Sequence, residues 1–344
     1  MASNSSTPEK MVNIAMATIL FGILMARPTG AQGLGICYGM LGNDLPPYSE
    51  VVALYQQHNI GLMRMYFPVD DALQALRGSN IGLILDVPRE HLQELASSAD
   101  SWVRTNVLAY WPDVKFRYIA VGNELIPDAG EAQFILPAMR NVYAALSSAG
   151  LQNDIMVSTV VHGAVLGTSD PPSAGEFTGA AQAYLVPIVQ FLSSTRAPLL
   201  ANIYPYFAHI SDDHVSLPYA LFTEPATVVQ DGPYSYQNIF DAMLDATYAA
   251  LEKVGASDVG IVVSESGWPS AGHAAATLEN AKTYNQNLIR HVKQGSGTPR
   301  RPDKAVEVYV FAMFNENQKT GAETEKHFGL FYPSKEPVYP IDFF

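Results

Sequence analysis

Cysteine is almost absent from this sequence, because Cys37 is the only one among 344 residues. A single cysteine cannot form a disulfide within the chain, so a large apolar core must stabilise the fold instead of crosslinks. Hydrophobic residues make up 48% of the chain, which is enough for such a core. Cys37 lies in the apolar run "GLGICYG", and no arrangement of histidines marks a catalytic partner for it. We therefore expect a buried, inert thiol.

Charged residues are also scarce, at 15% of the chain, and the basic ones form no cluster. The formal net charge of −13 repels phosphate backbones, so nucleic acid is not expected as a partner. The spacings His-x-x-x-His and Cys-x-x-Cys are missing, as are Gly-x-Gly-x-x-Gly and the P-loop pattern. The sequence therefore predicts no metal and no cofactor, and it favours a neutral or cationic substrate.

One apolar run near the N-terminus, "MVNIAMATILFGILM", is too short to cross a bilayer comfortably. Lys10 precedes it and the small residues "TGAQ" follow it, which is the pattern of a secretory signal peptide cleaved after Ala31. We expect residues 1–31 to be removed and residues 32–344 to form one catalytic domain. The alternative is a buried amphipathic helix at the N-terminus.

Near-continuous apolar runs of the kind found in strands covered on both faces recur along the rest of the chain. They lie at 33–39, 61–67, 82–88, 116–124, 154–161, 198–207, 259–267 and 307–315. Helical patterns lie between them, at 48–59 with Ser49 as the expected cap, at 89–111, at 135–150, at 235–255 and at 278–295.

Eight strands alternating with helices predict a closed (β/α)₈ TIM barrel in a single α/β domain. An open doubly wound sheet is the alternative, but it would need a glycine-rich phosphate turn after the first strand, and "CYGMLGNDLPP" is a poor one. Residues 32–344 exceed the typical barrel of about 250 residues, so we expect enlarged loops, of which 208–236 is the largest.

Polar residues interrupt the apolar pattern where the predicted strands end. Glu124 ends the fourth strand, Tyr204 and Tyr206 end the sixth, Glu265 ends the seventh, and Glu316 follows the eighth. Strands four and seven lie nearly opposite each other in an eight-stranded barrel, so two carboxylates can face each other across a cleft. Glycoside hydrolases use a facing pair of carboxyl groups as their catalytic groups, one protonated and the other ionised.

Aromatic residues near the same strand ends could offer flat faces to sugar rings: Tyr38, Tyr66, Phe67, Tyr204, Tyr206, Phe207, Trp268 and Phe314. The alternative interpretation is that each glutamate pairs with a basic residue or caps a helix, and that the aromatic residues belong to the core. The combination on strands four and seven favours catalysis.

The segment "VGIVVSESGWPSAG" at 259–272 closely resembles the signature of glycoside hydrolase family 17, the plant β-1,3-glucanases. The segments "ICYGMLGNDLP", "YIAVGNE", "NIYPYF", "SYQNIFDAMLDATYAALEK" and "FAMFNENQKTGAETEKHFGLFYP" resemble the same family in the same order. The resemblance implies a (β/α)₈ barrel and a retaining double displacement, with Glu124 as the general acid/base and Glu265 as the nucleophile. Their carboxyl groups should then be about 5–5.5 Å apart, and Glu265 should have a basic or donating neighbour that Glu124 lacks.

The resemblance also implies supporting residues. Asn123 would bond the sugar 2-hydroxyl, and Arg64 would orient Glu265. Tyr38 and Tyr204 match aromatic positions near the cleaved bond, with Phe207 and Phe314 as candidates for stacking. Charged positions that support the site are matched by Glu316, Lys319 and Glu325.

The expected function is therefore endo-acting hydrolysis of β-1,3-glucan. We expect the protein to be a monomer whose binding partner is this polysaccharide. A β-1,3-1,4-glucanase, a transglycosylase and an inactive glucan-binding defence protein are the alternatives. The chain ends at "PVYPIDFF", without the extension that sends some relatives to the vacuole, so secretion to the cell wall is favoured.

Overall fold

The computed structural model describes residues 1, 33–127 and 130–343. Apart from Met1, the predicted signal peptide lies outside the described residues. Within them, no helix is both long enough and apolar enough to cross a membrane.

Eight parallel strands form a closed barrel at the centre of the domain. In chain order they are β1 Leu34–Tyr38, β2 Leu62–Met65, β3 Gly82–Val87, β4 Lys115–Asn123, β5 Met156–Val161, β6 Leu199–Asn202, β7 Ile261–Ser266 and β8 Val308–Val310. Each strand pairs with its neighbours in sequence, and β1 closes the barrel by pairing with β8. The predicted (β/α)₈ barrel is confirmed, and each of the eight apolar runs overlaps one of its strands.

Helices fill the connections between the strands. They are α1 Tyr48–Gln57, α2 Asp70–Leu76, α3 Leu92–Leu95, α4 Asp100–Val103, α5 Ala132–Ser148, α6 Gly179–Thr195, α7 Pro205–Ser211, α8 Leu217–Ala220, α9 Ile239–Lys253 and α10 Leu278–Lys293. Helices α5, α9 and α10 each end just before a glycine with positive φ, as their sequences predict.

Two helix predictions were wrong in detail. Ser49 does not cap α1, because that helix already begins at Tyr48 after Pro47, and no side chain caps it. The single helix predicted over 89–111 is instead a short 3₁₀ turn, α3, α4 and a π turn at Arg104–Leu108. The break between α3 and α4 contains Ser97 and Ser98, and serine is a weak helix former that competes for backbone hydrogen bonds.

The predicted strand at 198–207 is shorter than expected. Strand β6 ends at Asn202, and Pro205 occupies the first position of α7. Proline is well suited to that position, because its missing N–H has no partner in the first turn of a helix. Tyr204 and Tyr206 therefore follow the strand instead of ending it, and both remain at the same end of the barrel.

The apolar strands and the inner faces of the helices form one continuous core. Cys37 lies within it, fully buried, and its thiol donates a hydrogen bond to the carbonyl oxygen of Ser264, with Sγ 3.3 Å from that oxygen. Burial raises the pKa of the thiol well above its ordinary value, so the predicted inert thiol agrees with its surroundings.

Enlarged loops follow β5 and β6. The first contains a hairpin of Leu166–Thr168 and Glu176–Phe177, and the second contains α8 and a hairpin of Val229–Asp231 and Tyr234–Tyr236. The two loops are joined by Asp231, whose carboxylate accepts hydrogen bonds from the backbone N–H and the hydroxyl of Ser173. Together they enlarge one side of the barrel mouth.

Candidate active site

A cavity of about 790 Å³ opens at the carboxyl ends of the barrel strands. Eight of the predicted site residues line it: Asn123, Glu124, Tyr204, Phe207, Glu265, Glu316, Lys319 and Glu325. The barrel brings them together because the carboxyl ends of its parallel strands all lie at one end.

Glu265 lies within β7, is only 6% exposed, and accepts three hydrogen bonds. Its Oε1 lies 2.8 Å from Nη1 of Arg64 and 2.8 Å from the hydroxyl of Tyr66. Its Oε2 lies 2.7 Å from the hydroxyl of Tyr204. Burial raises the pKa of both phenols, and the Glu265 charge raises them further, so both remain donors. Donors on both oxygens, one of them cationic, suit an ionised carboxylate.

Arg64 lies fully buried beneath the cavity floor, and its guanidinium contacts several site residues at once. Asp86 on β3 binds it in a fork, with Nε–Oδ1 at 3.2 Å and Nη2–Oδ2 at 2.6 Å. The remaining donors reach Glu265 and the Oδ1 atom of Asn123, the latter at 2.9 Å. A buried cation is tolerated here because two carboxylates balance its charge and its N–H groups donate hydrogen bonds to buried oxygens.

Glu124 follows β4 directly and has a left-handed backbone conformation, with φ of 57°. Its own N–H donates to the carbonyl oxygen of Val160 at 3.0 Å, which holds this unfavourable conformation in place. The Oε1 atom accepts a hydrogen bond from Nδ2 of Asn202 at 2.8 Å. Although Glu124 is exposed to the cavity, the cavity walls screen its carboxyl group from bulk water. This desolvation raises the pKa of Glu124, and the neighbouring Glu265 charge raises it further.

The two carboxyl groups therefore have different surroundings. Glu265 is buried and bound by a cation, whereas the only side-chain donor to Glu124 among the described residues is a neutral amide. This matches the expected asymmetry between the two. Glu124 is suited to hold a proton at a pH where an ordinary glutamate has lost it, while Glu265 lies beside donors that stabilise a negative charge.

A second group of charged residues lies beside the pair. Nζ of Lys319 lies 3.9 Å from a carboxylate oxygen of Glu316 and 3.9 Å from one of Glu325, and 4.3 Å from the centre of the Phe311 ring. Glu316 is buried and accepts the backbone N–H of Leu41 at 2.8 Å. Burial raises the pKa of both glutamates, and Lys319 opposes that shift.

Gly39, which follows β1, is required for this group. A Cβ atom at residue 39 would lie 2.2 Å from Oε2 of Glu316, so any side chain there would displace the carboxylate. The Glu316 carboxylate thus explains on steric grounds why a glycine follows "CY", and the sequence alone does not reveal this contact.

The aromatic residues of the cavity differ in part from those expected. Tyr66, Phe67, Tyr204 and Phe207 line it, and Phe311 and Phe328 join them. The stacking interpretation is corrected for Tyr38 and Phe314, which are 2% and 1% exposed and do not line the cavity. Their rings contact each other at 6.3 Å between centroids, behind the cavity wall. Tyr206 and Trp268 are likewise buried, 5.1 Å apart.

Sequence reasoning did not assign Asp86, His162 or Asn202 to the site, and it named Tyr66 as a face for sugar rings instead of as a donor to Glu265. A signal existed for Asp86, because a lone carboxylate in the buried run "GLILDVP" needs a cationic partner. Asn202 has a comparable signal, since it is a polar residue at the end of an apolar strand. In the part of the chain that the structure describes, no group of three His, Cys, Asp or Glu residues could hold a metal ion.

Comparisons with known proteins give results that agree with one another. The profile of the glycosyl hydrolases family 17 matches residues 34–343. A glucan endo-1,3-beta-glucosidase of Vitis vinifera is 57% identical over 94% of this chain and 95% of its own length. A basic vacuolar isoform of that enzyme from Nicotiana tabacum is 53% identical over 98% of this chain and 94% of its own. The solved structure of a beta-1,3-glucanase and allergen of Cryptomeria japonica pollen has a TM-score of 0.88 and 47% identity, covering 91% of this chain and 99% of its own.

Proposed function

This chain belongs to glycoside hydrolase family 17, and we propose that it hydrolyses internal β-1,3-glucosidic bonds in β-1,3-glucans. The observation that carries the proposal is the unequal pair of carboxyl groups in one open cavity, with Glu265 bound by a cation and Glu124 by an amide. The names of relatives at 53–57% identity support the linkage.

The proposed reaction is a retaining double displacement. In the first step Glu265 attacks the anomeric carbon while Glu124 gives its proton to the glycosidic oxygen, and the bond between that carbon and the leaving sugar breaks. In the second step the Glu124 carboxylate takes a proton from water, and the resulting hydroxide displaces Glu265. Because Glu124 must be protonated first and ionised next, its raised pKa suits both steps.

Neighbouring residues have supporting roles in this proposal. Arg64, Tyr66 and Tyr204 hold Glu265 in the orientation for attack, and their hydrogen bonds stabilise the charge of a carboxylate nucleophile. Oδ1 of Asn123 accepts from Arg64, which leaves its NH₂ group to donate to a sugar hydroxyl. The faces of Phe207 and its aromatic neighbours give the sugar rings an apolar contact.

Release of reducing sugar from three polysaccharides tests the substrate. We expect rapid hydrolysis of laminarin, which is β-1,3-linked, little hydrolysis of mixed-linkage lichenan, and none of carboxymethyl cellulose. Oligosaccharides of several lengths should appear early, because an endo-acting enzyme cuts within the chain. Faster hydrolysis of lichenan than of laminarin would replace the proposal with a β-1,3-1,4-glucanase, and longer products than substrates would indicate transglycosylation. Binding without hydrolysis would indicate an inactive glucan-binding protein.

We propose that the chain is exported as a monomer after removal of residues 1–31. The apolar run and the small residues that follow it support export. One of the relatives is named a vacuolar isoform, so the vacuole is the alternative destination. N-terminal sequencing of protein recovered from the culture medium of expressing cells should begin near Gln32. A secreted chain that still carries residues 11–25 would contradict the proposal.

A further inference from the structure

Asn202, the last residue of β6, connects the carboxyl group of Glu124 to Arg64, the cation that binds Glu265. It is 2% exposed, and its amide makes contacts on both sides. On one side Nδ2 donates to Oε1 of Glu124 at 2.8 Å and to Oδ1 of Asn123 at 3.2 Å. On the other side Oδ1 accepts from Nη1 of Arg64 at 3.3 Å and from the hydroxyl of Ser264 at 2.8 Å.

The chemistry of these partners fixes which way the amide faces. The guanidinium of Arg64 has donors only, so the atom of Asn202 that faces it must be the carbonyl oxygen. The NH₂ group must then face Glu124. Asp86 in turn holds Arg64 through two hydrogen bonds. A series of contacts thus runs from Asp86 through Arg64 and Asn202 to the carboxyl group of Glu124.

This arrangement distinguishes the two oxygens of Glu124. Oε1 accepts from a donor whose orientation is fixed, so a proton on Oε1 would compete with the NH₂ hydrogen of Asn202. Oε2 has no hydrogen-bond partner among the residues that the structure describes, and Glu124 lines the cavity. Glu124 can therefore carry a proton on Oε2 without competing with the hydrogen bond from Asn202.

We propose that Asn202 is the positioning residue that presents the protonated Oε2 of Glu124 to the glycosidic oxygen. The inference rests on the proposed function and assigns a residue that acts through the acid. Asn202 binds Oε1 throughout, so Oε2 gives its proton to the leaving oxygen in the first step and takes a proton from water in the second. Arg64 contributes to both halves of the site, because the same cation contacts Glu265 and orients Asn202.

Loss of this amide changes the titration of Glu124 in a predictable direction. A donor stabilises the ionised form, so Asn202 lowers the pKa that burial and Glu265 raise. The other titratable or charged groups that face Glu124 are His162 after β5, Arg64 on β2 and Tyr204 after β6, and they are unchanged in a variant of Asn202. Without the donor, the pKa of Glu124 rises. Since the first step needs the protonated acid, the alkaline limb of the activity profile should move to higher pH.

The test uses Asn202→Ala and Asn202→Ser, with Thr159→Val as the matched control. Thr159 is buried on the neighbouring strand β5, and its hydroxyl donates to the carbonyl oxygen of Gly122, so the control removes one buried hydrogen bond without contacting either carboxyl group. We expect kcat on laminarin to fall about 10- to 100-fold in both Asn202 variants. The rate at which 2,4-dinitrophenyl β-laminaribioside forms the covalent intermediate should change little, because that leaving group needs no proton. The control should behave as the wild type in both assays.

Two outcomes would overturn the assignment. One is an equal loss on laminarin and on the dinitrophenyl substrate, which would place the effect of Asn202 on Glu265 or on binding. The other is an alkaline limb that stays in place in both variants, which would indicate a purely structural role.

A titration that needs no turnover separates this inference from the proposed function. The ¹³C NMR signal of the Glu124 carboxyl group, assigned by its loss in Glu124→Gln, should titrate at higher pH in Asn202→Ser than in the wild type. An unchanged midpoint would overturn the inference even in an active enzyme. A raised midpoint in a protein that hydrolyses no glucan would instead leave the hydrogen bond established and refute the proposed function.

Discussion

Glu265→Gln is expected to reduce laminarin hydrolysis by at least about 10⁴-fold, because it removes the attacking carboxylate and leaves no other nucleophile in its position. The substitution keeps the size of the side chain. Its carbonyl oxygen can still accept from Arg64 and Tyr66, and its NH₂ group can face Tyr204, whose hydroxyl can turn to accept. Arg64 retains Asp86 as its counter-ion, so we expect the variant to fold and to bind laminarin.

The matched control for this variant is Glu307→Gln. Glu307 is an ion-paired glutamate at the opposite end of the barrel, with an oxygen 2.5 Å from Nη2 of Arg117. The control makes the same chemical change away from the cavity and should retain hydrolysis. Steady-state rates on laminarin, with binding measured by calorimetry, provide the check. Comparable activity in both variants would refute the role of Glu265.

Glu124→Gln should have an effect that depends on the leaving group. Hydrolysis of laminarin should fall about 10²- to 10⁴-fold, because a sugar alkoxide leaves poorly without a proton. With 2,4-dinitrophenyl β-laminaribioside, a rapid burst of dinitrophenol should precede slow turnover, since only the second step still needs the base. Glutamine makes the same demand on the left-handed backbone as glutamate, so folding should be preserved.

Stopped-flow absorbance of dinitrophenol measures the burst directly. A burst amplitude close to the enzyme concentration supports accumulation of the covalent intermediate. Equal losses on laminarin and on the dinitrophenyl substrate would contradict a role for Glu124 as the acid.

The barrel could be predicted from the sequence because buried parallel strands leave a strong local signal of short apolar runs at regular intervals. Helix α6 left no comparable signal. Pro187 lies inside it, and its residues are apolar without a clear polar face, so periodicity does not mark it, although Thr178 caps its first turn. The single helix predicted over 89–111 was wrong because Ser97 and Ser98, which are weak helix formers, interrupt an otherwise helical pattern.

The two glutamates could be found because each ends or follows an apolar strand and lies in a recognisable segment. The side-chain contacts that connect them could not be predicted. Asn202 and Asp86 act through side-chain contacts between residues 22–138 positions apart in sequence, and such contacts exist only once the barrel has closed. Tyr38 shows the converse error, because it was predicted to face the substrate and is instead buried. An aromatic residue at the end of a strand can equally face the core.

Azide rescue distinguishes Glu265 as the nucleophile and Glu124 as the acid/base of a retaining reaction from the reverse assignment. Azide is a small anion that attacks without a general base. With 2,4-dinitrophenyl β-laminaribioside, added azide should restore turnover to a Glu124→Ala variant and yield the β-glycosyl azide, because azide displaces Glu265 from the covalent intermediate. The coupling constant of the anomeric proton in the NMR spectrum of the product identifies the anomer. Rescue of a Glu265→Ala variant to the β-azide, with the α-azide from Glu124→Ala, would show that the two roles are reversed.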